Sequence, residues 1–419
     1  MKRKVLLSLF VLSAMFFSCQ ETDPDDTTPA DELIERKDIS LTRSQLDFVK
    51  ANNGFALEFF KRASDKEGGK GMLVSPLSIT YALGMVDNGA KGNTQKEINK
   101  VLGYEGDGID ELNSFCKTML EQGAAVDPST IMEIANMAVI NKGYIPLKDD
   151  FTNKVQTNFE ANVLYKDFAK EDIMTLINKW CDEKTHGMIK SILDQPVSSR
   201  EYAHFLNATY FKGIWSSQFK KSDTQKEKFK AYDGNSITVN MMHQKSKFNY
   251  GEIDNLCSAV CLPYGNKAYR MILILPEDGK TLEDLKKSLT SESWEQLNRM
   301  REYEVDVKMP SFETEFGTES IKPTLLEMGI TSAFDYSLAD FSGMTDQPVY
   351  VSDVLHKAKI KVDEQGSEAA AVTDVTMKTN SASPTAPRVI EFHADRPFLY
   401  AITEISTGAI FFIGQYTGK

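Results

Sequence analysis

Asp363-Glu-Gln-Gly-Ser-Glu-Ala-Ala-Ala-Val-Thr-Asp-Val-Thr-Met-Lys-Thr-Asn-Ser-Ala-Ser-Pro-Thr-Ala-Pro387 follows a strand-like run, Leu355 to Val362, and leads back into strand at Val389. A polar surface loop would account for its composition. Its length and pattern call for more. Loops beyond about 15 residues without structure of their own are uncommon and usually functional or disordered. From Gly366 to Ser383 there is no proline, so every amide could donate to a sheet. Alternate positions read Ser367, Ala369, Ala371, Thr373, Val375 and Met377, small first and apolar later. The opposite face reads Glu368, Ala370, Val372, Asp374, Thr376 and Lys378. That period of two is an amphipathic strand written into a loop.

Outward from this stretch, strand signals dominate the C-terminal half: Phe205 to Phe211, Ile237 to Met242, Tyr269 to Leu275, Tyr303 to Met309 and Leu355 to Val362. Leu399 to Ile405 and Ile410 to Gln415, split by Ser406-Thr407-Gly408-Ala409, read as a closing hairpin. Helical signals dominate the first half. Ser44-Gln-Leu-Asp47 resembles a capping box before the stripe Leu46, Val49, Ala56 and Phe59. Ser75-Pro76 opens a helix running to about Asn88, Thr94-Gln-Lys-Glu97 predicts another stopped by Gly103, and Ile173, Leu176, Ile177 and Trp180 recur at helical spacing before Gly187. Helices mostly first and strands mostly last give an α+β class, in one domain without internal repeats.

The N-terminus is a separate object. Lys2, Arg3 and Lys4 precede an apolar run from Val5 to Phe17, and Ser18-Cys19 resembles the lipobox of bacterial lipoproteins. Residues 1–18 are read as an export signal, with lipidation expected at Cys19. Residues 19–41, acidic and carrying Pro24 and Pro29, are read as a flexible tether, and residues 42–419 as the folded domain. The expected location is a lipid-anchored cell envelope, the outer membrane with surface display included, or the extracellular space.

Composition limits the partners. A net charge of −12, becoming −15 once three basic residues leave with the signal, argues against nucleic acid. Five cysteines, Cys19, Cys116, Cys181, Cys257 and Cys261, are too few for a disulfide scaffold. No phosphate-binding glycine loop, dinucleotide fingerprint, H-E-x-x-H or G-x-S-x-G occurs, and His186, His204, His243, His356 and His393 lack metal-ligand spacing. No residue set announces an enzyme, a metal or a cofactor. The lysines from Lys220 to Lys230 are interleaved with Asp223 and Glu227 and read as a solvated face, not a polyanion site.

Several blocks together resemble the serpins, in order and over about residues 43–418. Phe392-His-Ala-Asp-Arg-Pro-Phe-Leu-Tyr-Ala-Ile402 is similar to the family's C-terminal signature, and Val362-Asp-Glu-Gln-Gly-Ser-Glu-Ala-Ala-Ala-Val-Thr373 to the hinge of its inhibitory members. Leu73-Val-Ser-Pro-Leu-Ser-Ile79, Asn88-Gly-Ala-Lys-Gly-Asn-Thr94, Ile177-Asn-Lys-Trp180, Asn207-Ala-Thr-Tyr-Phe-Lys-Gly-Ile-Trp215 and Val351-Ser-Asp-Val-Leu-His-Lys357 agree as well. The resemblance implies a fold of three β-sheets and about nine helices with an exposed reactive loop at about 364–388. It implies a monomeric suicide inhibitor of proteases and no enzyme. The hinge would comprise Glu364, Gly366, Ser367, Glu368, Ala369, Ala370, Ala371, Val372 and Thr373. Ser75, Ser78, Asn207 and His356 match a hydrogen-bonded shutter under the main sheet, and Trp215 the aromatic where the hinge first inserts.

The scissile bond is less determined. Seventeen residues counted from Glu364, the usual inhibitory hinge length, give Asn380-Ser381. Chemistry prefers Lys378-Thr379, because a pocket with a buried carboxylate selects Lys. Met377-Lys378 would suit an apolar pocket. Trypsin-like proteases are the favoured targets, with broad specificity including cysteine endopeptidases as an extension, and a non-inhibitory surface binding module is the alternative.

Overall fold

Capping signals locate the helices, and tertiary contacts move their starts. A computed structural model describes residues 35–104, 108–367 and 389–418 of the chain. Helix α1 (Arg43–Lys66) is capped by Thr42 and not by Ser44: the Gln45 amide donates to Thr42 Oγ1, and the Gln45 side chain reaches back to the Thr42 amide. Val49, Ala56 and Phe59 are buried, whereas Leu46 is exposed. Helix α2 (Pro76–Asp87) starts at the Ser75 cap with proline at its first position. Helix α3 (Gly92–Leu102) begins before the expected box. Thr94 and Glu97 turn to another segment instead, Thr94 accepting from the Asp340 amide and Glu97 from the amides of Thr331 and Ser332. Helices α4 (Ile109–Gly123), α5 (Asp149–Phe159), α6 (Ile173–Lys184), α7 (Leu282–Ser288), α8 (Ser291–Leu297) and α9 (Lys322–Met328) complete nine among the described residues. None is long and apolar enough to cross a membrane.

The strands are β1 (Met72–Val74), β2 (Ile131–Asn141), β3 (Asn162–Lys166), β4 (Ala203–Ile214), β5 (Gln225–Lys230), β6 (Ser236–Ile253), β7 (Cys257–Pro263) and β8 (Tyr269–Pro276). They continue with β9 (Arg301–Pro310), β10 (Phe312–Ser320), β11 (Leu355–Val362), β12 (Gly366–Ser367), β13 (Ile390–His393), β14 (Phe398–Glu404) and β15 (Ile410–Tyr416). A nine-stranded network runs β1-β15-β14-β8-β7-β6-β9-β13, with β5 also on β6. Its two parts share the 18-residue β6, which pairs with β5 over Ser236 to Met241, with β9 over Met241 to Tyr250 and with β7 over Asn249 to Ile253. This is how two of the three expected sheets are joined. The other sheet runs β10-β11-β12-β4-β2-β3.

The core lies between these layers. Leu399 to Ile402 of β14 and Met271 to Leu273 of β8 have no exposed surface. The folded body also begins earlier than residue 42, since Ile39 is buried and its amide donates to Ser406 Oγ at 2.9 Å.

Candidate functional site

The site grows from β4 and β11, which flank β12 in the second sheet. β12 is antiparallel to both, with Gly366 opposite Ile214 and Ser367 opposite both Gly213 and Val362. Among the described residues β4 and β11 form no ladder with each other, so this two-residue strand alone joins the halves of the sheet. Beyond it lies a narrow cleft, lined by Thr209, Tyr210 and Phe211 of β4 and by Lys359 and Ile360 of β11. Thr185, Met188 and Ile189, after α6, and Ile402 and Phe412 of the other sheet complete its walls.

Two glycines permit this entry. A Cβ on Gly366 would stand 2.0 Å from the Gly213 carbonyl oxygen, and one on Gly213 would stand 2.8 Å from the Tyr264 ring. Trp215 lies at the mouth. Its ring stacks on Tyr264 at 4.3 Å, its Nε1 donates to the Asp363 carbonyl at 2.9 Å, and its amide donates to the Gln365 carbonyl at 2.8 Å. Glu364 is held at both levels: its carbonyl accepts from the Phe219 amide, and its carboxylate accepts from Thr224 Oγ1 at 2.8 Å. Ser367 has no exposed surface, and its hydroxyl meets Tyr264 OH at 2.6 Å. Burial pushes the Tyr264 hydroxyl far up, so it stays protonated.

These contacts correct the loop boundary. The stretch from Glu364 to Ser367 was expected in an exposed loop, but Gly366 and Ser367 are buried in the sheet because the glycine pair lets the backbone enter. Glu368, Ala369, Ala370, Ala371, Val372 and Thr373, the bond candidates Met377, Lys378, Thr379, Asn380 and Ser381, and Cys19 lie outside the described residues.

The expected shutter residues divide. The Ser75 amide donates to His356 Nε2 at 3.0 Å, and Ser75 Oγ accepts from the Ser78 amide. His356 is fully buried, and desolvation lowers its pKa to about 4, which keeps the ring neutral. Asn207 stands apart from this group. Its Nδ2 donates to Asn136 Oδ1 at 2.8 Å and its Oδ1 accepts from Thr209. The four expected as one network are therefore two, because Asn207 on β4 and His356 on β11 belong to opposite banks of the cleft.

The residues missed in the sequence are Tyr264, Thr224 and Asn136. Tyr264 lies 103 positions from Ser367, and only folding brings them together. The outer face of the banks is basic. Lys357 and Lys359 pair with Glu315 and Glu313 of β10, whereas Lys212 and Lys361 have no ion pair among the described residues.

The described residues offer no cluster of three metal-binding side chains. Burial raises the thiols of Cys181 and Cys257 to about 12, which leaves neither as a nucleophile at neutral pH.

Comparison with known proteins agrees with this architecture. The family model "Serpin (serine protease inhibitor)" matches residues 50–418. Intracellular coagulation inhibitor 2 of Tachypleus tridentatus is 35% identical over 385 residues, covering 89% of this chain and 91% of the relative. Serpin B3 of Homo sapiens is 33% identical over 392 residues, covering 88% and 98%. Among solved structures, the thermophilic serpin tengpin in its native state superposes with a TM-score of 0.81 at 27% identity, covering 93% of this chain and 99% of that one. Thyroxine-binding globulin in complex with thyroxine superposes with a TM-score of 0.77 at 26% identity, covering 89% and 99%. With its nine described helices, its mixed sheets and this match along nearly the whole body, the chain belongs to the serpins, a family of protease inhibitors and not of enzymes.

Proposed function

We propose that this serpin is a suicide-substrate inhibitor of trypsin-like serine endopeptidases, with the bait bond among residues 377–381 and Lys378-Thr379 preferred over Asn380-Ser381. The protease serine attacks the bait carbonyl, the amine leaves with the proton, and an ester joins enzyme to inhibitor. The freed arm then enters the cleft and carries the enzyme away before water reaches the ester. Papain-like enzymes, which form thioesters, come within the same scheme.

The observation that carries this reading is the seat of Gly366 and Ser367 between two strands that form no ladder with each other among the described residues. Continuing its register, Ala369 would fall between Phe211 and Ile360, Ala371 between Thr209 and Ala358, and Thr373 between Asn207 and His356. Met377 would reach Ala203, where β4 begins. Ser367 faces the core, so the small-then-apolar series would follow it inward. Glu368, on the other face, would fall between Lys212 and Lys361, which have no ion pair among the described residues. About 10 new ladder bonds at roughly 1 kcal/mol each rival the stability of an ordinary domain, which makes insertion effectively irreversible.

The test is incubation with trypsin-like, elastase-like and papain-like proteases, followed by a denaturing gel. A covalent band at the summed mass supports inhibition. Loop cleavage with every protease left fully active overturns it in favour of a binding module, a reading to which the thyroxine complex of a structural neighbour lends support.

We propose further that residues 1–18 direct export and that Cys19 carries a lipid. The lipobox-like Ser18-Cys19 supports this, and mass spectrometry of the mature N-terminus tests it.

A further inference from the structure

Read in one dimension, the lysines between Lys220 and Lys230 are balanced by Asp223 and Glu227. Strand geometry separates them. In β5 the odd residues turn to one face, where Phe229 is fully buried and Glu227 is held by Lys308 at 2.8 Å. Lys226, Lys228 and Lys230 therefore share the other face, about 7 Å apart. They stand opposite Asn240, Thr238 and Ser236 of β6, and all six are exposed. Lys220 and Lys221 extend the stripe along the preceding turn, where exposed Asp223 subtracts one charge. None of the five lysines has an ion pair among the described residues.

The position of this stripe gives it a use. At the N-terminal end of β5, Thr224 holds the carboxylate of Glu364, on the segment that leads into the reactive loop. At the C-terminal end, the Lys230 amide donates to the carbonyl of Asp395, on the segment that leads out of it. The chain before the loop and the chain after β13 are thus both tied to β5, which puts this strand within reach of a protease drawn to the loop. The chain as a whole is acidic, at −12, so the stripe stands against a net repulsion of an acidic enzyme.

We infer that Lys226, Lys228 and Lys230, with Lys220 and Lys221, form a docking surface for the acidic rim of the attacking protease, selecting anionic targets by rate. This rests on the inhibitor reading above. The surface acts on encounter, before acylation, so it alters association and leaves loop insertion untouched.

The test compares wild type with a Lys226→Ala, Lys228→Ala, Lys230→Ala triple variant and with the corresponding K226E, K228E, K230E variant, using anionic and cationic trypsin. At about 0.01 M salt the alanine variant should inactivate anionic trypsin at least tenfold more slowly, and the gap should close near 1 M. Charge reversal should widen that gap and raise the rate toward cationic trypsin. The stoichiometry of inhibition and the melting temperature should not change. Rates unaffected by either variant overturn the inference, as does a difference that arises only when heparin is added, which would assign the stripe to a polyanion. Equilibrium binding of anionic trypsin with its catalytic serine replaced by alanine provides a readout that needs no acylation. If wild type forms no covalent complex with active trypsin, the inhibitor reading fails, while weaker binding of this inactive enzyme by the triple variant still supports docking and equal binding overturns it.

Discussion

The two sheets of this molecule are built to different degrees of completion. In the nine-stranded network, β8, β14 and β15 are laddered along their lengths, and Leu273, Leu399 and Phe411 have no exposed surface. In the six-stranded sheet, β4 and β11 are joined through two residues of β12, and a cleft follows. The first sheet is a closed core. Among the described residues the second is a frame whose banks meet only through β12, with glycines at the entry and Tyr210, Phe211 and Ile360 along the cleft beyond it. On our reading, the folded body supplies the rigidity and the gap supplies the work.

The strongest way to break the comparison is to make the gap unfillable. Thr373→Arg would carry a charge inward between Asn207 and His356, and burying an unpaired charge costs more than the ladder bonds nearby return. The covalent band with trypsin should vanish and the protein should become a plain substrate, while the intact form melts as wild type. Inhibition at wild-type stoichiometry would contradict the register. Leu273→Ala attacks the other sheet. It should cost about 2–5 kcal/mol in urea unfolding, in the intact and the loop-cleaved protein alike, because that core does not change on insertion.

Acidity sharpens the contrast further. His356, on the bank of the cleft, has a folded pKa of about 4 against an ordinary value near 6.5, so the unfolded chain takes its proton first. Its contribution is complete above pH 6.5 and falls as pH drops toward 4, by about 3 kcal/mol. Asp87, away from the cleft, has the opposite sign. Burial raises its carboxyl to about 7, so its neutral form suits the fold and it destabilises as pH rises from 4 to 7. Relative to wild type, Asp87→Asn should therefore be more stable at pH 8 and lose that advantage by pH 4, while the cost of His356→Gln should shrink over the same descent. Urea unfolding at pH 8, 6 and 4 reads both differences.

Smaller effects test the mouth and the banks. Tyr264→Phe removes the hydroxyl at 2.6 Å from Ser367 and leaves a buried serine unpartnered, a loss of about 1–3 kcal/mol. Faster hydrogen exchange at the Ser367 amide should report it. Lys361→Ala should take about 0.2–1 kcal/mol from the cleaved form only, through the lost cross-strand pair with Glu368. An equal loss in the intact form would place the effect elsewhere.

Much of this was legible in the sequence, and the failures are instructive. Leu355 to Val362 was read to the residue because its alternation is strict and Asp363 ends it. The Ser75-Pro76 helix start was equally local. β2 and β10 were not anticipated. β2 ends in a continuous buried run, Met137 to Asn141, that carries no period of two. β10 places Glu313 and Glu315 where only the lysines of β11 explain them. The box at Thr94 to Glu97 has the right letters, but those side chains serve a segment more than 200 residues away. Tyr264, the Asn207–Asn136 pair and the lysine stripe depend on which strands become neighbours or which way a strand faces. Local pattern does not contain that information.

Our central proposal is that the segment after Ser367 can take up a strand position between β4 and β11, which form no ladder with each other among the described residues. Thermal unfolding of the protein nicked within residues 377–381, set beside the intact protein, addresses it directly. Filling the position should raise the melting temperature by tens of degrees. A nicked protein that melts at or below the intact one would contradict the claim.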